Sequence, residues 1–245
     1  MHINRTAVAV IVGASILWPS SSLMASAQDA TPTMTYTCED VAAAQGAGTP
    51  AAMMGDMATM GTPMAGMDQM AMELDQMYID MMIPHHASII AMAEAARPRL
   101  TDARLQEIAR AVISAQGPEI AELRGYRETF YGDSNPMPMD QAMMAAMEQM
   151  MPGMSGTMEE MAFQMDAAAQ VAAICEAEDP DLAFIAQTIA HHQMAIAASE
   201  AVLGQSGHPE IRDFARRVID AQRREIDELT AIRQELAGEA TPAAS

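Results

Sequence analysis

The chain has 245 residues, a formal net charge of -20, 27 methionines and two cysteines. Phosphates would repel so acidic a chain, which excludes a nucleic-acid binder, whereas the charge suits solubility and the attraction of cations. Two cysteines with no partner at metal-site spacing leave thiolate metal ligation the weaker reading, and a disulfide between Cys38 and Cys175 the stronger one.

Residues 1–27 read as a secretory signal peptide. Arg5 is the basic residue of its start, residues 7–18 are its apolar core, and Ala25-Ser26-Ala27 is a small-x-small cleavage site before Gln28. The core is too short to span a bilayer, and no other run is long and apolar enough to do so. Cleavage after Ala27 is expected to leave a secreted or periplasmic chain with no membrane span.

Residues 28–67 form a Met-rich N-terminal segment. Gly55, Gly61, Pro63 and Gly66 interrupt the methionines and deny it a regular helix, so it reads as flexible. A first helical hairpin is expected over 68–132. Its first helix runs over 68–96, with Ile79, Ile83, His86, Ile90 and Glu94 on one face, and Arg97-Pro98 closes it. Thr101 or Asp102 caps the second helix. Leu105, Ile108, Val112, Gln116, Ile120 and Leu123 share its apolar face, and it ends at Tyr131-Gly132. Pro84 and Gly117-Pro118 are expected to kink the two helices.

Residues 133–179 read as a second Met-rich linker with extra helices, a short one over 140–151 and a longer one over 157–178. A second hairpin follows over 180–238. Asp179-Pro180 starts its first helix, Gly204 stops it, and the next runs over 209–237. Residues 239–245 form a flexible tail. No stretch reads as a strand. The expected fold is all-α, an antiparallel four-helix, ferritin-like bundle of two repeated hairpins with Met-rich linkers.

The repeat is visible in the sequence. With an offset of 106 and no gap, residues 75–129 lie on 181–235, and 20 of the 55 pairs are identical. They include Asp75/Asp181, His85/His191, His86/His192, Gln116/Gln222 and Glu119/Glu225. Shared polar residues on the inward faces are expected to serve the fold, since buried polar groups must be paired. Asp75, Gln116, Glu119, Asp181, Gln222 and Glu225 are therefore candidates for an inward polar network. His86 is expected to bond Gln116 or Glu119, and His192 to bond Gln222 or Glu225.

Residues found in one copy only need another reason. Met77, Met81 and Met82 correspond to Ala183, Gln187 and Thr188. Met81 and His85 are four residues apart, as are Met82 and His86, so each pair shares one helix face. Met92 follows on the same helix, and Met194 stands three residues after His191. Thioether with imidazole is a ligand set that favours Cu(I). Met77, Met81, Met82, His85, His86, Met92, His191, His192 and Met194 are thus the candidate metal residues. The competing reading is packing, because methionine is a good core filler. Successive histidines point about 100° apart on a helix, so one of each pair can face a core while the other faces water.

The pattern Asp75, Met82-Ile83-Pro84-His85-His86, Ile90-Ala91-Met92-Ala93, Ile113 and Gln116-x-x-Glu119-Ile120 resembles the domain-of-unknown-function 305 family. That family has a ferritin-like helical bundle and includes CopM-type periplasmic copper-binding proteins. The resemblance is close over 75–131 and looser over 181–236, where Ile189-Ala190-His191-His192 lacks the methionine and the proline. It implies an extracytoplasmic metal-binding protein with copper as the leading ion, Cu(I) preferred and Ag(I) or Cu(II) as alternatives. Sequestration, resistance or homeostasis is the expected role, without catalysis. A ferritin-like redox enzyme is the first alternative, and it lacks the Glu-x-x-His pairs that a di-metal carboxylate site uses. A helical interaction protein with an adaptable methionine surface is the second.

Overall fold

In a computed structural model of the chain, residues 37–39, 41, 74–150 and 158–239 are described. The expected signal peptide, most of the segment over 28–67 and the end of the tail lie outside them. The described residues form seven helices and no strand: α1 (Leu74–Ala96), α2 (Ala103–Tyr131), α3 (Gln141–Met150), α4 (Met158–Met165), α5 (Ala167–Glu176), α6 (Pro180–Leu203) and α7 (Pro209–Glu239).

Helix boundaries follow local chemistry. The Asp102 carboxylate accepts from Arg104 N and starts α2, and Gly132 ends it at φ 78, a left-handed conformation that only glycine adopts without strain. Asp179 accepts from Leu182 N, and Pro180 occupies the first turn of α6, where a missing N–H has no cost. Helix α1 runs through Pro84 and α2 through Pro118 without a break in either helix. The single helix expected over 157–178 is two. Asp166 leaves helical geometry, and its carboxylate accepts from Ala169 N to start α5. Helix α7 runs past its expected end and through Gly238.

Helix α1 packs on α2 and α6 on α7; α1 also lies against α4, α5 and α6. Two apolar clusters form the core. The first joins the start of α1, the end of α6 and the start of α7, with methionines of α3 and α4 packed on them. The second joins the end of α1, the start of α2, the start of α6 and the end of α7. A fully buried Ile, Leu, Met or Phe in either contributes about 1.5–3 kcal/mol.

Between the clusters the chain changes character. On α1 the first ends at Ile83 and the second begins at Ile89; on α6 the boundary falls between Ile189 and Met194. The four histidines 85, 86, 191 and 192 occupy that gap. Gln116 and Glu119 sit at the same level of α2, between Val112 and Leu123, and Gln222 and Glu225 at that of α7, between Val218 and Leu229. A polar layer therefore crosses the middle of an otherwise apolar core.

Cys38 and Cys175 are joined by a disulfide, which ties the N-terminal arm to the end of α5. Around it, Val41, Ala91, Ala95, Ala167 and Val171 form a small third cluster.

Candidate metal centre

All four histidines are fully buried. The expectation that one of each pair faces water is not met, because α4 and α5 cover the side of α1 that a simple hairpin would leave open.

His86 and His192 behave alike. His86 Nε2 donates to Glu119 Oε2 at 2.9 Å, and His192 Nε2 donates to Glu225 Oε2 at 2.6 Å. An ionised carboxylate only accepts, so the proton is on Nε2 and the lone pair is left on Nδ1. Among the described residues, neither Nδ1 has a partner. The carboxylates thus fix ring orientation and tautomer together, as the second partner of a ligating histidine does.

His85 and His191 form the second pair. Their rings lie face to face across the α1–α6 contact, with centroids 3.5 Å apart and planes 31° apart. His191 Nε2 donates to the His85 carbonyl at 2.8 Å and has Ser88 Oγ at 3.2 Å. Ser88 Oγ is also 2.6 Å from the Gln164 carbonyl, and Gln170 Nε2 donates to that carbonyl at 2.9 Å. His191 Nδ1 and both ring nitrogens of His85 make no hydrogen bond among the described residues. Burial holds both rings well below the usual imidazole pKa, and the neighbouring histidines add to the effect. Two neutral imidazoles therefore face each other at pH 7.

Sulfur lies beside this layer. Met77, Met81, Met82 and Met194 are buried in the first apolar cluster, and Met143, Met147 and Met161 of the second Met-rich segment join them there. Met137, Met139 and Met165 are half-buried at its edge. The sequence offered the linker methionines as a group and singled none of them out. For Met143 and Met147 the signal was their four-residue spacing, which puts both on one face of α3. Met92 belongs to the second cluster, apart from the other candidate methionines.

Of the six carboxylate and amide candidates, Gln116, Glu119, Gln222 and Glu225 lie together in the polar layer. Asp75 and Asp181 do not. Asp181 accepts from Thr101 N at 2.8 Å and Asp102 N at 3.1 Å and holds the α1–α2 turn. Asp75 accepts from His208 Nδ1 at 2.7 Å near the α6–α7 turn, and the His208 ring stacks on Phe130.

Imidazole nitrogens without partners beside buried thioethers suit a soft ion such as Cu(I) or Ag(I). Among the described residues no three His, Cys, Asp or Glu side chains converge on one point, so these residue types alone supply no metal cage.

The sequence profile of the family described as "Domain of unknown function (DUF305)" matches residues 75–234, and the chain belongs to that family. Solved structures similar to this chain are titled "CopM in the Cu(II)-bound form", at 26% identity and a TM-score of 0.50, over 66% of this chain and 97% of that one; "CopM in the Cu(I)-bound form", at 26% and 0.50, over 66% and 96%; and "CopM in the Ag-bound form (by co-crystallization)", at 27% and 0.50, over 66% and 96%. No curated protein sequence matches the chain.

Proposed function

We propose that this member of the DUF305 family is an extracytoplasmic copper-binding protein that sequesters Cu(I) through methionine and histidine. One observation carries the reading. Among the described residues, five buried ring nitrogens on four histidines have no hydrogen-bond partner, and Met81, Met82 and Met194 of the buried thioether cluster stand about one helical turn from those histidines. An unpartnered buried polar group costs about 1–3 kcal/mol, so five together call for a ligand. The similar CopM structures with Cu(I), Cu(II) and Ag support the choice of ion.

In this reading His85 and His191, with Met77, Met81, Met82 and Met194, supply the soft ligands. His86 and His192 add Nδ1, with Glu119 and Glu225 holding their rings. Met92 is left to packing. The half-buried Met137, Met139 and Met165 are a thioether path from the surface. The four long helices α1, α2, α6 and α7 are two copies of one hairpin in a ferritin-like bundle, and the first copy carries more of the sulfur, with Met77, Met81 and Met82 against Met194 of the second. No substrate chemistry is proposed.

The test is metal analysis of residues 28–245 after loading with Cu(I), Cu(II), Ag(I) and Zn(II), followed by competition with a chromophoric Cu(I) chelator. Tight, stoichiometric Cu(I) and Ag(I) retention is expected, with weaker Zn(II). Retention of Zn(II) over Cu(I) would refute the soft-ligand assignment.

A further inference from the structure

Outside the sulfur cluster, one small cavity has a composition that the copper reading does not use. It lies between α2 and α7, has a volume of about 20 Å³, and takes its polar wall from Gln116, Glu119, Gln222 and Glu225. The rest of its lining is valine and alanine. Every α2 residue in the wall has its counterpart 106 positions later in α7. The repeat thus places two Gln-x-x-Glu faces opposite each other.

Three features distinguish this cavity from a solvated acidic patch. First, Gln116 and Gln222 are each only 3% exposed, and the side-chain carbonyl oxygen of each is buried with no hydrogen-bond partner among the described residues. Second, each glutamate gives one oxygen, Oε2, to a histidine and keeps Oε1. Third, no Lys or Arg lines the cavity, so its two carboxylates have no cationic partner there. Two like charges facing one small space raise the energy of the apo form, and a bound cation would remove that repulsion.

We infer that this cavity binds one hard divalent cation, Ca(II) or Mn(II), through the carboxylates of Glu119 and Glu225 and the amide carbonyls of Gln116 and Gln222. Carboxylate and carbonyl oxygens are the ligands that hard cations select, and two carboxylates neutralise a charge of two. A water needs roughly 10–15 Å³ of such space, so the cavity admits the ion with little of its hydration shell, and water on the exposed side of Glu119 and Glu225, whose side chains are 23% and 24% accessible, would complete its coordination. Mg(II) gives up its water reluctantly and is disfavoured. The site is separate from the soft one in ligand type, and its binding does not depend on the copper assignment. Filling it would fix Glu119 and Glu225, which orient His86 and His192.

Mn(II) binding to residues 28–245, freed of copper and with the disulfide intact, is read by the electron paramagnetic resonance of free Mn(II). One equivalent is expected to bind and to be displaced by Ca(II) but not by Mg(II) at equal concentration. Gln116→Leu with Gln222→Leu removes both carbonyls and keeps the His–Glu bonds. Glu119→Gln with Glu225→Gln cancels the charge and keeps an acceptor for each histidine. Each pair should weaken Mn(II) at least tenfold without lowering the thermal unfolding temperature of the apo protein, and the Gln116→Leu with Gln222→Leu pair, which leaves the His–Glu bonds in place, should keep Cu(I) affinity near wild type. Wild-type protein that binds no Mn(II), or binding undiminished in both variants, as surface carboxylates would give, overturns the assignment. Wild-type protein that binds Mn(II) but not Cu(I) would count against the copper reading alone.

Discussion

Replacing Met81 and Met82 by leucine separates ligation from packing. Both side chains are fully buried. Truncation to alanine would cost about 2–5 kcal/mol at each site. The pair would then remove an amount comparable to the whole stability of a domain, about 5–15 kcal/mol, and any loss of copper could be unfolding. Leucine keeps the volume and the apolar character, at a cost below about 1.5 kcal/mol per site. For the pair, in a chain of this size, that lowers Tm by at most about 6–12 °C. If the sulfur atoms hold Cu(I), the Leu pair should bind it at least tenfold more weakly, which corresponds to about 1.4 kcal/mol. The assay is competition with a Cu(I) chelator at constant pH, with far-ultraviolet circular dichroism as the check on folding. The converse change, Gln187→Met with Thr188→Met, should add Cu(I) capacity to the second hairpin. A Leu pair with native helicity and unchanged Cu(I) affinity would show that these methionines only pack.

Three further outcomes follow from the polar and covalent contacts. His85 and His191 are held neutral in the fold, because burial keeps both well below the usual imidazole range near 6.5. Below that pH the unfolded chain takes up protons that the folded one refuses, so stability is full above about pH 6.5 and falls as pH drops, by up to about 2.7 kcal/mol per unit for the two rings together; denaturant midpoints from pH 8 to 5 measure this, and His85→Gln with His191→Gln should flatten the slope. Arg127 Nε donates to Asp80 Oδ1 at 2.5 Å in a buried pair, and burial raises the Asp80 pKa. Arg127→Met should therefore cost about 3–5 kcal/mol by leaving a buried carboxylate alone, read as a lower urea midpoint, and Asp80→Asn in the same background should recover part of it. Reducing the Cys38–Cys175 bond, which spans 137 residues, should lower unfolding free energy by about 2–4 kcal/mol; equal denaturant midpoints with and without reductant would contradict this.

Much of the fold was legible because helices declare themselves by period and caps. The starts at Asp102 and Asp179-Pro180 and the stop at Gly132 are local chemistry, and local chemistry survives without knowledge of the partners. The break at Asp166 was missed because it lacks glycine and proline, and a lone Asp inside a helical run is ambiguous until its carboxylate is seen on Ala169 N. The bonds from His86 and His192 were half legible. The repeat supplied the level and the facing helix, and only packing chose Glu119 and Glu225 over the glutamines. Asp75 and Asp181 share a helix face with those histidines, yet they sit 11 residues away, about 16 Å along the axis. A shared face fixes direction but not depth. The linker methionines could be named only as a group, for a different reason. Proline-rich flanks made residues 133–156 read as a connector, and nothing local shows that α3 and α4 fold back onto α1.

The polar layer itself leads to a test of where the metal sits. Five unpartnered ring nitrogens, at about 1–3 kcal/mol each, are a burden as large as the net stability of an ordinary domain. The apo protein should still be mostly helical, since the two apolar clusters do not depend on that layer, but it should melt below what such a core allows. An ion bound there requires the folded arrangement of α1 and α6 and so stabilises it. At a free concentration 1,000 times Kd the gain is about 4 kcal/mol, or roughly 8–16 °C in Tm for a chain of this size. Ions bound only by methionines of an unfolded segment meet the same ligands in the folded and unfolded chains and leave Tm where it was. Differential scanning calorimetry with Ag(I), which avoids oxidation during the scan, distinguishes the two. A rise of that size, lost in His85→Gln with His191→Gln, places the ion in the layer. Stoichiometric Ag(I) binding with no change in Tm would move the soft site out of the bundle.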